Sequence, residues 1–352
     1  MFLSKKLLID QWNPEVIEYY STKSVSASSS TRLLADPLFV GADKIFYRQS
    51  SYLRSITIAD AANTQADAAT GNGFYFAEGD SDATTQTFYS YAQTSSNITF
   101  GKLDVNTVAE TATHTTSVKT WSKTMASILT MFGDAIIWGD TTSSSCALKN
   151  NTTTLLSGSG GFGYVGKPNS TSVYVSNGNN VYTTTTSAAN LYFTKSVSGT
   201  PKYLQNKFYI ILYSPTFTLI KLTTSGIIEW QKTFYADENN TVPITMKILG
   251  TNNGKFYGVS FPTSSDATSP YYKLVIWEID MATGNVLHQK DLPTPRVVTD
   301  GLITANTILN YSIGNFSMGI VPKNRRFALP IVAGYTKSSV FYHDWFVITI
   351  PE

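Results

Sequence analysis

Three groups of residues have the types and spacing from which chemistry is built. The run GSGGFG satisfies G-x-G-x-x-G through Gly158, Gly160 and Gly163. That pattern holds a dinucleotide when a strand precedes the glycines and a helix N-terminus after them meets the pyrophosphate. Here Tyr164-Val165-Gly166-Lys167-Pro168 follows, a short strand stopped by proline, so the glycines read as a loop between strands. The stretch AEGDSDATT sets Glu78, Asp80 and Asp82 at alternating positions, the kind of oxygen set that holds calcium. It lacks the glycine and distal glutamate of an EF-hand, and reads, like Asp237-Glu238 in YADENNT, as a solvated loop. His114, His288 and His343 fall in separate segments with no cysteine pair to complete a zinc set. His343-Asp344 resembles an acid-base pair, but no G-x-S-x-G nucleophile accompanies it, and no spacing marks two carboxylates for glycoside hydrolysis. The expectation is therefore no catalytic, cofactor or metal site.

Aromatic residues are the surplus, 13% of the chain with 21 tyrosines. Phe46, Tyr47, Phe74, Tyr75, Phe208, Tyr209, Phe256 and Tyr257 recur in similar apolar runs, where burial between sheets is their role. Phe88, Tyr89 and Tyr91, and Tyr271 with Tyr272, fall in longer segments rich in Ser, Thr and Asn. Flat apolar side chains with a polar tip suit a glycan- or protein-binding surface, so these five are the candidate ligand contacts. The plainer reading makes them ordinary strand residues.

The chain has 352 residues, 42% of them apolar, enough for a sizeable core. Only 14% are charged and the net charge is +2, so the surface is polar without being ionic and offers no footprint for nucleic acid. No apolar run approaches the roughly 20 residues that span a bilayer. The start, MFLSKKLLIDQ, lacks the apolar middle of a secretory signal. Cys146 is the only cysteine, so the core must hold the fold without an internal disulfide. The Asn-x-Ser/Thr triplets, Asn169-Ser170-Thr171 among them, are those expected by chance in so hydroxyl-rich a chain.

Apolar residues alternate or come in short runs bounded by Gly, Asn, Asp or Ser-Thr clusters, which predicts an all-β chain. FTLIKLTTSGIIEWQKTF, from Phe217, is a hairpin turning at Ser225-Gly226, and KLVIWEIDMATGNVLHQKDL, from Lys273, repeats it around Thr283-Gly284. NITFGKLDVNTV is a third copy and weaker ones follow. The residues before these turns are Ala59, Leu103, Leu148, Tyr182, Leu222, Ile279 and Ile350. A second pattern, a turn followed by an aromatic run, interleaves with the first: GADKIFY, GNGFYF, GDAIIW, GGFGYV, NKFYII, NGKFYG and NRRFAL. The spacing scatters about the 40–45 residues of a four-stranded propeller blade. Each small sheet has two apolar faces it cannot cover alone, so blades stack and the ring must close.

The prediction is one β-propeller domain over residues 1–352, of seven four-stranded blades. Residues 33–352 form the blades, 13–32 a Ser-rich connection, and 1–12 a closing strand. In it KKLLIDQW, residues 5–12, pairs with residues 345–350 of the C-terminal blade. LIKLTTSGIIEWQKTF and VIWEIDMATGNVLHQKDL resemble the repeats of bacterial and phage β-propellers and of quinoprotein-like propellers. That resemblance implies the fold and no activity, and the six tryptophans keep no common register of the quinoprotein kind. The functional expectation is a non-enzymatic docking module of a virion or surface appendage. Other protein subunits are its partners, with a host glycan as a second ligand and neither nucleic acid nor membrane. The rival reading is a secreted glycan hydrolase or lyase with its site in the axial funnel.

Overall fold

The computed structural model describes residues 15–25, 36–40, 44–49, 52–57, 63–66, 74–76, 87–93, 97–104, 117–122, 126–132, 135–141, 146–261, 274–292, 326–331, 336–337 and 340–349. Every regular element among them is a strand. The N-terminal strand is β1 (Glu15–Val25). Next come β2 (Asp36–Val40), β3 (Lys44–Gln49), β4 (Tyr52–Thr57) and β5 (Asn63–Ala66). They are followed by β6 (Phe74–Phe76), β7 (Thr87–Gln93), β8 (Asn97–Asp104) and β9 (Ser117–Ser122). A further set is β10 (Ala126–Phe132), β11 (Ala135–Thr141), β12 (Cys146–Asn150) and β13 (Thr153–Gly158). After it run β14 (Phe162–Asn169), β15 (Ser172–Asn177), β16 (Asn180–Thr184) and β17 (Ala189–Thr194). Then come β18 (Pro201–Leu204), β19 (Lys207–Leu212), β20 (Thr218–Leu222) and β21 (Ile228–Thr233). The rest are β22 (Thr245–Asn252), β23 (Lys255–Phe261), β24 (Leu274–Asp280), β25 (Val286–Leu292), β26 (Arg326–Ile331), β27 (Thr336–Lys337) and β28 (Val340–Thr349).

Among the described residues these strands pair into seven four-stranded antiparallel sheets, six of them simple meanders in chain order. The seventh is assembled from both ends of the chain: β28 lies between β26 and β1 and also pairs with β27. The register runs from Glu15 opposite Thr349 to Tyr19 opposite Trp345 and Ser21 opposite His343. The C-terminal partner is the expected one. The strand that reaches it is Glu15–Val25, within the segment expected to be a connection, and residues 5–12 lie outside the described residues.

The chain falls into two compact units. One holds the sheets of β2–β5, β22–β25 and β26–β28 with β1; the other holds the four sheets from β6 to β21. Within the second unit, consecutive sheets bury their faces against each other. Ile137, Cys146 and Leu148 of one sheet pack with Phe162, Val173 and Val175 of the next. The sheet of β14–β17 then sets Val165, Tyr174, Val181 and Phe193 against Phe208, Ile210, Ile220 and Leu222 of β18–β21. The opposite face of that last sheet carries Tyr209, Leu219 and Trp230, so both faces are apolar. This is why β20 is buried at all five residues while the outer β21 is exposed at nearly every one. A strand covered on both sides needs a run of apolar residues, and an edge strand does not. Four-stranded meanders stacked face to face are the construction of a β-propeller.

The hairpin turns follow from their residues. Thr223 N–H donates to Ile227 O (2.8 Å), Gly226 N–H donates to Thr223 O (3.0 Å), and Thr223 Oγ1 accepts from Ile227 N–H at 3.1 Å. Gly226 sits at φ +80, where an L side chain is strained. The copy at β24–β25 uses Asp280 in place of Thr223: its Oδ1 accepts from Thr283 N–H at 2.6 Å, and Gly284 takes φ +71.

The pre-turn markers Leu103, Leu148, Tyr182, Leu222 and Ile279 all lie on the third strand of their sheets. Ala59 and Ile350 lie outside the described residues. Of the aromatic runs, those in GADKIFY, GDAIIW, NKFYII and NGKFYG fall on second strands, β3, β11, β19 and β23. Those in GNGFYF and GGFGYV fall one strand earlier, on β6 and β14, and NRRFAL falls on β26.

Candidate functional site

The sequence candidates separate. Phe88, Tyr89 and Tyr91 lie within the strand β7 rather than in an insertion, opposite Leu103, Lys102 and Phe100 of β8. Tyr271 and Tyr272 lie outside the described residues, as do Glu78, Asp80, Asp82 and His114. The glycines of GSGGFG span the link from β13 to β14, which Asn177 fastens by donating from Nδ2 to Gly160 O and Gly161 O, both at 3.3 Å. Strand, loop and strand in that order give no helix N-terminus for a pyrophosphate. His288 stands on β25 and His343 on β28, in different sheets. Asp237 closes its own loop: Oδ1 accepts from Thr241 N–H (2.9 Å) and Val242 N–H (2.7 Å), and Oδ2 from Thr241 Oγ1 (2.7 Å). Chiefly the Thr241 hydroxyl, then the Val242 amide, holds its carboxyl below the ordinary carboxylate value. Among the described residues, no group of three or more His, Cys, Asp or Glu is placed to hold a metal ion.

Two features stand out instead, both built on outer strands. The first is a doublet of exposed apolar residues placed just after the hairpin turn: Ile227 and Ile228 at 61% and 39% exposure, and Val286 and Leu287 at 42% and 41%. Both follow a turn with a left-handed glycine, Gly226 or Gly284, and in register Ile228 opposite Leu222 corresponds to Val286 opposite Ile279, so each outer strand begins with an exposed apolar residue that has one exposed apolar neighbour. Core packing does not require apolar side chains there. Their neighbours are polar: Glu229 pairs across to Lys221 at 2.6 Å, tying a buried ammonium beneath the strand surface.

The second is a tyrosine cluster where the sheet of β14–β17 meets that of β18–β21. In β17, Phe193 lies opposite Val181 and Leu191 opposite Tyr182, so Tyr192 between them is an extra residue without a cross-strand partner. A bulge of this kind re-aims its side chain. Phe193 takes the core position, while Tyr192 stays 41% exposed with its ring 5.0 Å from Tyr174 and 5.9 Å from Phe208. Tyr203, from β18, stands 5.0 Å from Tyr174 and donates its hydroxyl to Asn206 Oδ1 at 3.2 Å. This approach needs Gly166: a Cβ there would lie 2.6 Å from Tyr203 Cβ and 2.9 Å from its carbonyl oxygen. Burial, then the Tyr192 hydroxyl, pushes the Tyr174 phenol up to about 12, and burial followed by Tyr192 raises Tyr203. Nothing in ANLYFT distinguishes Tyr192 from a plain strand residue except that three apolar residues stand in a row on an edge strand.

No protein-family profile and no curated protein matches the sequence. Solved structures do. A chain in the crystal structure of the mitotic checkpoint complex aligns at 10% identity over 93% of this chain and 91% of that one, with a TM-score of 0.51. BamB from Moraxella catarrhalis aligns at 11% identity over 95% and 98%, with a TM-score of 0.40. KlHsv2 with loop 6CD replaced by a Gly-Ser linker aligns at 8% over 90% and 97%, at 0.46. At 10% identity the likeness to the first of these concerns the fold alone.

Proposed function

We propose that the chain is a non-enzymatic docking module, a seven-bladed propeller that joins other protein subunits of a larger assembly such as a virion or surface appendage. The observation that carries this reading is that two outer strands each begin with a pair of exposed apolar residues, Ile227-Ile228 and Val286-Leu287, with Ile228 and Val286 in equivalent register. Exposed apolar residues scattered singly need no explanation, but adjacent pairs recurring at the start of outer strands are what a partner surface would select. The low charge supports the same reading, since the fully buried centre of an interface tolerates few ions. The resemblance of these two repeats to those of phage and bacterial propellers favours a particle or envelope setting.

The test is to separate the native source into soluble extract, envelope and sedimented particles, and to probe each for the chain. The expected result is enrichment in the particle or envelope fraction, and its release by Ile227→Asn with Val286→Asn at unchanged thermal stability. Finding the chain only as a soluble monomer would end the proposal.

A further inference from the structure

The structure assigns to the tyrosine cluster a binding subsite for a neutral hexopyranose unit, formed by the exposed ring of Tyr192 with the hydroxyls of Tyr174 and Tyr203. This goes beyond docking through the Ile227-Ile228 doublet, and names the chemistry of the second ligand. Three observations converge on it. First, Tyr192 is inserted where the ladder has no place for it, next to Leu191 at 58% exposure, so two apolar side chains are presented to solvent at the cost of a disrupted ladder. Second, phenols from β15, β17 and β18 meet there, with Asn206 bonded to one of them and held in a left-handed conformation (φ 63) in the β18–β19 turn. Third, these named groups are neutral, and Tyr203, whose proton goes to Asn206 Oδ1, offers its oxygen as an acceptor to a sugar hydroxyl.

A pyranose offers one face of C–H groups and a rim of hydroxyls. The C–H face lies on an aromatic ring, and neighbouring hydroxyls need neutral groups that donate and accept within one sugar's width. Tyr192 supplies the ring, Tyr174 and Tyr203 the hydroxyls, and the Asn206 amide a further polar group. Tyrosines packed against Phe208 and Phe193 are already ordered, so little rotamer freedom remains to be lost on binding. A proline-rich peptide is the other ligand that uses tyrosine faces. It asks for parallel ridges of aromatic rings along an extended groove, whereas the rings here gather around one point.

The test uses the full chain and four probes: methyl α-mannopyranoside, galactose, N-acetylglucosamine and maltotriose, followed by saturation-transfer NMR and by tyrosine fluorescence. At least one probe should bind in the millimolar range and be weakened about tenfold or more by Tyr192→Ala. Tyr174→Phe and Tyr203→Phe, which remove one hydroxyl each, should weaken it several-fold at unchanged melting temperature at neutral pH. Ile227→Asn with Ile228→Thr should leave sugar binding intact, so failure of the docking reading would not be mistaken for failure of this one. No binding by any of the four, binding that survives Tyr192→Ala, or binding of a proline decamer in place of every sugar would overturn the proposal.

Discussion

Gly226 in the β20–β21 turn rests on the outer strand of the neighbouring sheet, where a Cβ added to it would lie 2.6 Å from Phe193 Cδ2 and 2.8 Å from Thr194 O. One glycine thus sets both the hairpin and the closeness of two sheets. Gly254, at φ +73 in the β22–β23 turn, has the same backbone requirement but nothing within 4 Å of an added Cβ.

The pair separates the two effects. Gly254→Ala should cost about 1 kcal/mol from the left-handed backbone alone. Gly226→Ala should cost roughly 2–4 kcal/mol, because the neighbouring strand must also move. Urea denaturation of both variants measures the difference, and equal costs would show that the sheets do not press together at this point.

The Lys255–Glu278 pair, partly exposed at the lysine and buried at the carboxylate, should lose stability when broken. Lys255 Nζ lies 2.5 Å from Glu278 Oε1, and the Glu278 side chain is 1% exposed. Lys255→Met should destabilise the chain by about 1–3 kcal/mol, while Lys255→Met with Glu278→Leu should recover part of that. A single substitution without measurable loss would mean that the carboxylate is held by other groups.

Alkaline pH should act in two opposed steps. Lys195 is buried, its ammonium bonded only by neutral oxygens in the contacts seen, Asn179 Oδ1 at 2.9 Å and Val197 O at 3.1 Å, and burial lowers its pKa below 10.5. Between that lowered value and 10.5 the unfolded chain binds more protons than the folded one, so this group makes stability rise with pH. Tyr174 and Tyr203 do the reverse. Their folded values lie above 10.0, for Tyr174 at about 12, so from pH 10 upward the folded chain holds the extra protons and stability falls. Melting temperatures across the alkaline range should show the rise abolished by Lys195→Met and the fall reduced by Tyr174→Phe.

Much of this architecture is legible from residues, and the failures have physical causes. The third-strand markers Leu148, Tyr182, Leu222 and Ile279 are legible because each precedes a turn whose residues announce it, as Thr223 to Gly226 do. The second-strand pattern slipped to β6 and β14 because first and second strands can both be buried in a blade. GGFGYV of β14 and SVYVSN of β15 therefore look alike in composition. The apolar run of KKLLIDQW points in sequence to a closing strand. An outer strand needs fewer apolar residues, and EVIEYYSTKSV fills that place. Tyr192 was missed because a bulge is fixed by pairing between strands, which no single strand records.

The central claim is that the C-terminal sheet is completed by the N-terminal strand. The direct measurement is thermal unfolding of a chain lacking residues 1–25, alone and with a synthetic peptide of residues 13–26 added. Each residue of β1 from Glu15 to Ser21 opposes one of β28. The truncated chain should therefore melt several degrees lower, with the peptide restoring stability as its concentration rises through a saturable site. An unchanged melting temperature, or a peptide that never binds, would contradict the account.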